Sequence, residues 1–163
     1  MSDSTQVLKS VQGILGGVSG TDIAGTVRHA LCRRVVVWPK PADDGSASTA
    51  TAEVLVFRAP VAGKIVSAHL TATSGGVTAN DTDYATVTVS KRDGAGGSAT
   101  TIATYSSTVA GGGMTQWVPK ALTVTEADAT FAAGSIITVK ITKPGSGVVV
   151  RAGALTLLID EGI

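Results

Sequence analysis

The sequence predicts an all-β protein: an eight-stranded, jelly-roll-like β-sandwich preceded by an extended N-terminal arm. From residue 33 onward, apolar and polar residues alternate with a period of two in short segments, and Gly, Pro, Asn and Asp lie between them. After residue 32, no segment of helix length shows the spacing of three and four that a buried helix requires. Short alternating runs separated by turn residues are typical of sandwiches and barrels.

The first 32 residues differ from the rest, and we predict two parts: an arm at 1–32 and a sandwich domain at 33–163. Glycines at 13, 16, 17 and 20 interrupt the only helical stripe in the arm, and each lowers helix stability by up to about 1 kcal/mol. We expect the arm to become ordered only against another molecule, and the alternative is a frayed terminus. The stripe consists of Val7, Leu8, Val11, Ile14, Leu15 and Val18.

Eight strands are predicted in the sandwich domain, a number that favours a jelly roll. The second is apolar at consecutive positions and is therefore expected to be buried on both faces. In the third, alternation places Val66, Ala68, Leu70 and Ala72 on the inner face and Ile65 on the outer face. The same alternation predicts three inner residues in each of the fourth, seventh and eighth strands: Ala85, Val87 and Val89; Ile137, Val139 and Ile141; and Leu155, Leu157 and Ile159. Pro119 weakens the sixth, which suits an edge or a bulge. The predicted strands lie at about 33–38, 53–58, 64–73, 84–91, 100–106, 117–124, 135–143 and 150–160.

Composition excludes several classes of protein. Charged residues make up 15% of the 163 residues and the net charge is +1, so no overall field favours binding to nucleic acid or a membrane. The single cysteine, Cys32, excludes an intramolecular disulfide framework. The N-terminus lacks the basic start and continuous apolar core of a secretory signal, so we expect synthesis in the cytoplasm.

The sequence offers little for catalysis, and we predict no enzyme, no cofactor and no metal site. His29 lies three residues from Cys32, but both fall in the expected arm, where no enclosing pocket is predicted. His69 lies on the polar side of an alternating strand and is interpreted as a surface imidazole. The run 80–83 (Asn-Asp-Thr-Asp) contains oxygen ligands suited to Ca²⁺, but such residues more often cap turns.

Positive charge is concentrated near the start of the chain. Through Pro41 there are five basic residues, among them Arg28, Arg33 and Arg34, and two acidic ones. An apolar arm with a basic neck suits an acidic surface of another protein, although a solvated distribution without a role is an equal alternative. The predicted partner-binding residues are Arg28, Arg33, Arg34, Leu15 and Val18.

Residues 53–160 resemble the small β-sandwich proteins that decorate the heads of tailed bacteriophages, also called cement or head-stabilising proteins. The stretches that carry the resemblance are 57–65, 80–89, 91–97, 132–139 and 155–160. The resemblance lies in the general character of the strands and in the spacing of the turns. The family has no site motif, so no functional residues can be assigned from it.

The resemblance implies a jelly-roll body without enzymatic activity, bound to the exterior of an assembled capsid. Its partners would be the major capsid protein and other copies of itself, as a dimer or a trimer. A head- or tail-fibre module that binds a host surface is the first alternative. A carbohydrate-binding sandwich is the second, but it would need a secretory route and more exposed aromatic residues.

Overall fold

The structure, a computed structural model, describes residues 33–40, 52–145 and 148–161. These residues form ten β-strands and one short 3-10 turn at Glu126–Asp128, which confirms the predicted all-β class. The expected arm at 1–32 lies outside the described residues, as does the loop at 41–51, so the predicted two-part organisation stays a prediction.

Ten strands are divided between two antiparallel sheets, and the first sheet contains five of them. Its order is β1 (Arg33–Lys40), β10 (Gly153–Glu161), β3 (Gly63–Ala72) and β6 (Lys120–Ala121). The fifth strand, β8 (Thr130–Phe131), pairs with β3 at Gly63 and Lys64. Strand β1 is therefore one edge of this sheet.

The second sheet also has five strands, and its strongly buried centre is formed by β9 and β4. Its order is β2 (Ala52–Arg58), β9 (Ile136–Thr142), β4 (Thr86–Arg92), β5 (Thr100–Ser106) and β7 (Thr123–Val124). Strand β2, the first of these five strands in the chain, is one edge of this sheet among the described strands.

The strand pairing confirms the predicted jelly roll. Strands β1 and β10, β2 and β9, β3 and β6, and β4 and β5 are neighbours, so the chain forms one long hairpin whose tip is the β4–β5 turn. This hairpin is rolled up, because β3 also pairs with β10 and β4 also pairs with β9. Rolling brings the two halves face to face as a sandwich.

The predicted count of eight strands is wrong at two places in the chain, because β8 (Thr130–Phe131) was not predicted and one predicted strand is divided. The segment expected as one strand at 117–124 is two: β6 pairs with β3 in the first sheet, and β7 pairs with β5 in the second. Leu122 lies between them, is buried, and donates its N–H to the carbonyl of Ala68. The chain changes sheets here, and two-residue ladders such as β6, β7 and β8 are too short to show a period.

The core consists of alternate side chains from the long strands. Leu155, Leu157 and Ile159 of β10 are fully buried, as the alternation predicted. In β3 the prediction is wrong at one step, because Ile65 is fully buried and Val66 only half-buried. The register with β10 shifts there, so β3 carries one extra residue and the phase of its alternation inverts.

The prediction for β2 is also wrong. Although its apolar run suggested burial on both faces, Val54 and Leu55 are exposed, and among the described strands β2 has a neighbour on one side only. A continuous apolar run does not distinguish a central strand from an edge strand that has an apolar outer surface.

Two leucines of opposite environment test this fold. We expect Leu157→Ala to lower the free energy of unfolding by about 2–5 kcal/mol, since it removes a fully buried side chain between the sheets. The matched control, Leu55→Ala, is expected to change it by less than about 1 kcal/mol, because Leu55 is exposed. Urea unfolding followed by circular dichroism measures both, and equal losses would contradict the sheet order.

Candidate interaction surfaces

Exposed apolar side chains are concentrated on the two edge strands β1 and β2. Val35 and Val37 of β1 are 59% and 58% exposed, and Val54 and Leu55 of β2 are 38% and 59% exposed. We call these four residues the edge strip. The two strands approach each other at one point, where the Arg34 guanidinium carbon of β1 is 5.1 Å from the centre of the Phe57 ring of β2.

Neither edge strand is covered by a further strand in the part of the chain that the structure describes. Exposed sheet edges are templates for pairing with another chain, and natural proteins ordinarily protect them with charge, proline or a covering segment. Here the protection is partial: Pro39 lies near the end of β1, whereas the middle of the strand is Val-Val-Val. The edge strip therefore has both the apolar surface and the backbone geometry of a protein-binding edge.

Some of the predicted partner-binding residues lie within the described residues, and the others lie outside them. Arg34 lies on β1 with Nη1 3.0 Å from Oε1 of Glu161, and its guanidinium also contacts the Phe57 ring, so it secures β1 to the body. Arg33 is exposed at the start of the same strand. Leu15, Val18 and Arg28 lie outside the described residues, as do His29 and Cys32.

The acidic run at 80–83 forms a turn. The Asn80 carboxamide oxygen accepts the backbone N–H groups of Thr82 and Asp83 at 2.7 and 3.0 Å. The Asp81 carboxylate accepts the N–H of Val109 at 2.8 Å, which ties this loop to the one after β5. Within the described ranges, no group of three or more His, Cys, Asp or Glu residues is placed to hold a metal ion.

His69 is half-buried on β3, between the buried side chains of Ala68 and Leu70. Its partners in register are Thr156 on β10 and Ala121 on β6. Neither partner carries a carboxylate or thiol. The neighbours in register therefore supply no acid, base or nucleophile to this imidazole.

A bidentate ion pair crosses the outer face of the second sheet. The Arg92 Nη2 group lies 2.9 and 3.0 Å from the two carboxylate oxygens of Glu53, and Nε donates to Oε1 at 3.0 Å. Nη1 of the same arginine donates to the carbonyl of Gly97 at 2.8 Å. The Arg92 hydrogen bonds hold the pKa of Glu53 below its ordinary value of 4.5, and the pair joins β2 to β4 across β9.

One exposed aromatic residue was not identified as a candidate from the sequence. Trp117 is 66% exposed and has a φ of 63°, in the left-handed region. The Val118 N–H donates to the carbonyl of Thr115, so Trp117 is the third residue of a type II turn, where Gly or Asn is ordinarily found. Holding another residue in this conformation costs on the order of 1 kcal/mol.

The loop that leads to this turn is anchored by Tyr105. Its hydroxyl donates to the carbonyl of Gly112 at 2.7 Å, and its ring lies 5.4 Å from the Lys120 ammonium. Burial raises the pKa of the Tyr105 phenol, so the hydroxyl remains a donor at neutral pH. In the sequence, the one sign of an unusual turn here is the proline that ends the run Trp-Val-Pro at 117–119.

No family model and no curated protein matches the chain. Among solved structures, it is similar to one of infectious bursal disease virus, Gx strain, at 14% identity and a TM-score of 0.39, over 80% of this chain and 33% of that one. It is also similar to an alpha-amino acid ester hydrolase at 10% identity and a TM-score of 0.34, over 79% and 32% of the two chains.

A third similar structure is the Clostridium thermocellum xylanase 10B with its CBM22-1 and GH10 modules, complexed with xylohexaose. Identity is 14% and the TM-score 0.33, over 79% of this chain and 24% of that one. The chain thus spans about a third or less of these proteins. At such TM-scores the similarities give no argument about function.

In the described residues, no helix has the length and apolar character needed to cross a membrane.

The Glu53–Arg92 pair predicts a pH dependence of stability. Because the folded-state pKa of Glu53 is lowered, the pair stabilises the fold above about pH 4.5, and this contribution is lost as the pH falls through the lowered pKa. We expect Glu53→Gln to lower the free energy of unfolding at neutral pH by less than about 1 kcal/mol, since the pair is partly exposed.

Urea unfolding of both proteins between about pH 7 and about pH 3 measures this difference, which should shrink toward the acid end. The variants Arg92→Gln and Glu53→Gln/Arg92→Gln complete a double-mutant cycle that isolates the pair. A difference that does not change with pH would contradict the assignment.

Proposed function

We propose that this protein is a structural virion component that binds the outer surface of an assembled phage capsid and stabilises it by bridging major capsid subunits. The observation that supports the proposal best is the edge strip: adjacent edge strands of a jelly-roll body expose Val35, Val37, Val54 and Leu55. Strand β1 of this surface comes directly after the expected arm at 1–32, which contains the apolar stripe and Arg28.

An edge of this kind binds another chain by two effects. Its backbone groups pair with an added strand, and its alternate side chains enter apolar pockets. Burial of apolar surface contributes roughly 25 cal/mol per Å². The edge strip has only four apolar side chains, so each site alone gives modest affinity. Copies bound next to one another on a repeating shell reinforce each other, because every further contact is made at high effective concentration.

The arm extends this contact in the proposal. A segment that becomes ordered on binding can cover a large surface at modest affinity, which suits the junctions between shell subunits. Leu15 and Val18 would supply apolar contacts, and Arg28, Arg33 and Arg34 would anchor the arm, with Arg34 holding β1 in place through Glu161. The same surfaces would contact sister copies in a dimer or trimer.

Binding to empty phage heads that lack this protein tests the proposal. We expect the purified protein to sediment with the heads in many copies per particle and to raise the temperature at which the shells disrupt. A stained gel of washed particles gives the copy number. A few copies per particle, without shell stabilisation, would indicate the alternative of a head- or tail-fibre module. An absence of binding would contradict the proposal.

The contribution of the edge strip is tested by charging it. We expect Val35→Lys/Val37→Lys to reduce head binding at least about tenfold. The double variant places two charges in the contact and removes two valines, each of which would contribute about 1.5–3 kcal/mol if fully buried. The matched control is Thr101→Lys/Thr104→Lys, which adds the same charge at exposed positions of β5. Equal binding by the two double variants would exclude the edge strip as the contact surface.

The contribution of the arm is tested by deleting residues 2–30. We expect occupancy of the heads to fall, since the apolar stripe and Arg28 are lost while the described strands are retained. Sedimentation with heads is the measurement, and circular dichroism checks that the body stays folded. Unchanged occupancy would show that the arm does not make the contact.

A further inference from the structure

The turn at residues 115–118, which we call the Trp117 turn, presents a large aromatic side chain to solvent on a conformation that disfavours it. Trp117 is 66% exposed at a φ of 63°, the next residue, Val118, is 55% exposed, and Pro119 is exposed as well. Glycine or asparagine would form the same turn with less strain. An exposed indole gains no core packing in exchange, so the fold itself does not require tryptophan here.

The Trp117 turn is held rigidly by its surroundings. The N–H of Trp117 donates to the carbonyl of Ala72 at 2.8 Å, and the Gln116 carboxamide donates to the carbonyl of Thr73 at 3.0 Å. On either side of the turn, Met114 and Leu122 are buried in the core. The indole is therefore presented by a preorganised loop, and binding through it would cost little ordering entropy.

The chemistry around the turn indicates an apolar protein surface as the partner. Residues 107–119 contain no charged residue, and the ammonium of the following Lys120 lies 5.4 Å from the Tyr105 ring, so the turn offers no cluster of charge to attract nucleic acid or a charged membrane. A sugar site surrounds its stacking ring with free polar groups, whereas here Val118 and Pro119 follow the indole and the Gln116 carboxamide already donates to the carbonyl of Thr73. Exposed tryptophans that fill apolar pockets are characteristic binding hot spots.

The turn lies on the opposite side of the first sheet from the edge strip. Gln116 forms a bridge with Ala72, whose other neighbour is Gly153 of β10. Since the sheet order is β1, β10, β3, β6, the turn is beside β3 on the β6 side, and β1 is at the far edge. The body thus has two separate apolar surfaces, and the turn and β1 lie at opposite edges of the first sheet.

We propose that Trp117 is the anchor of a second attachment surface, which inserts into an uncharged apolar cleft of the capsid shell while the edge strip binds a different subunit. The assignment rests on the proposed function and deepens it: one molecule with two separate surfaces can join two subunits. The Trp117 turn supplies the second contact without any contribution from the arm.

Trp117→Asn tests the assignment, because asparagine tolerates the left-handed conformation and removes the indole. We expect its melting temperature to be equal to that of the native protein or higher, and its affinity for empty phage heads to fall at least about tenfold. Trp117→Phe should recover part of the affinity. The control Val61→Asn, at an exposed position of the β2–β3 turn, should bind as the native protein does.

Acrylamide quenching gives a second measurement. Fluorescence of the native protein should become protected from acrylamide when heads are added, and Trp117→Asn, which retains only Trp38, should show no such protection. Native-like binding by Trp117→Asn would overturn the inference and leave the proposed function standing. A melting temperature lowered by several degrees would also overturn it, since Trp117 would then be a residue of the fold. Failure of the native protein to bind heads would overturn the proposed function and, with it, the shell as the partner of Trp117.

Discussion

The burial of alternate side chains between two antiparallel sheets is the constraint on which the rest of the structure depends. Isoleucine, valine, leucine and alanine fill this layer, with few aromatic residues, of which Phe57 and Phe131 meet edge to face at 6.1 Å between ring centres. Because most of these side chains are short, the sheets need many strands to bury enough area. The rolled hairpin supplies them, and each strand pair near its centre is supported by its neighbours.

The same arrangement determines which surfaces are available for binding. Rolling the hairpin leaves β1 and β2 at adjacent edges of the two sheets. Val35, Val37, Val54 and Leu55 on these strands therefore stay exposed to solvent. The Trp117 turn lies at the other edge of the first sheet, where the chain crosses between sheets through Leu122. Both apolar surfaces are therefore consequences of the topology.

Particular elements show how far the sequence alone could lead. Alternation was sufficient for β4, β9 and β10, whose inner residues were predicted correctly, because a sheet with one buried face imposes a strict period of two. It failed at Ile65 and Val66, where a bulge inverts the phase, and at β2, where an apolar run belongs to an edge. Trp117 was not predicted as a candidate, because a sequence pattern reveals neither its positive φ nor its exposure.

The sequence by itself determined the all-β class, the positions of the long strands and most of the core, because these depend on local periodicity and turn residues. Only the tertiary structure decided which strands are edges, where the chain changes sheets and which apolar residues stay in solvent. Those properties depend on pairing between residues far apart in the chain, such as Gly63 with Glu161 or Ala72 with Gln116. Local composition carries no record of which distant strand will lie alongside.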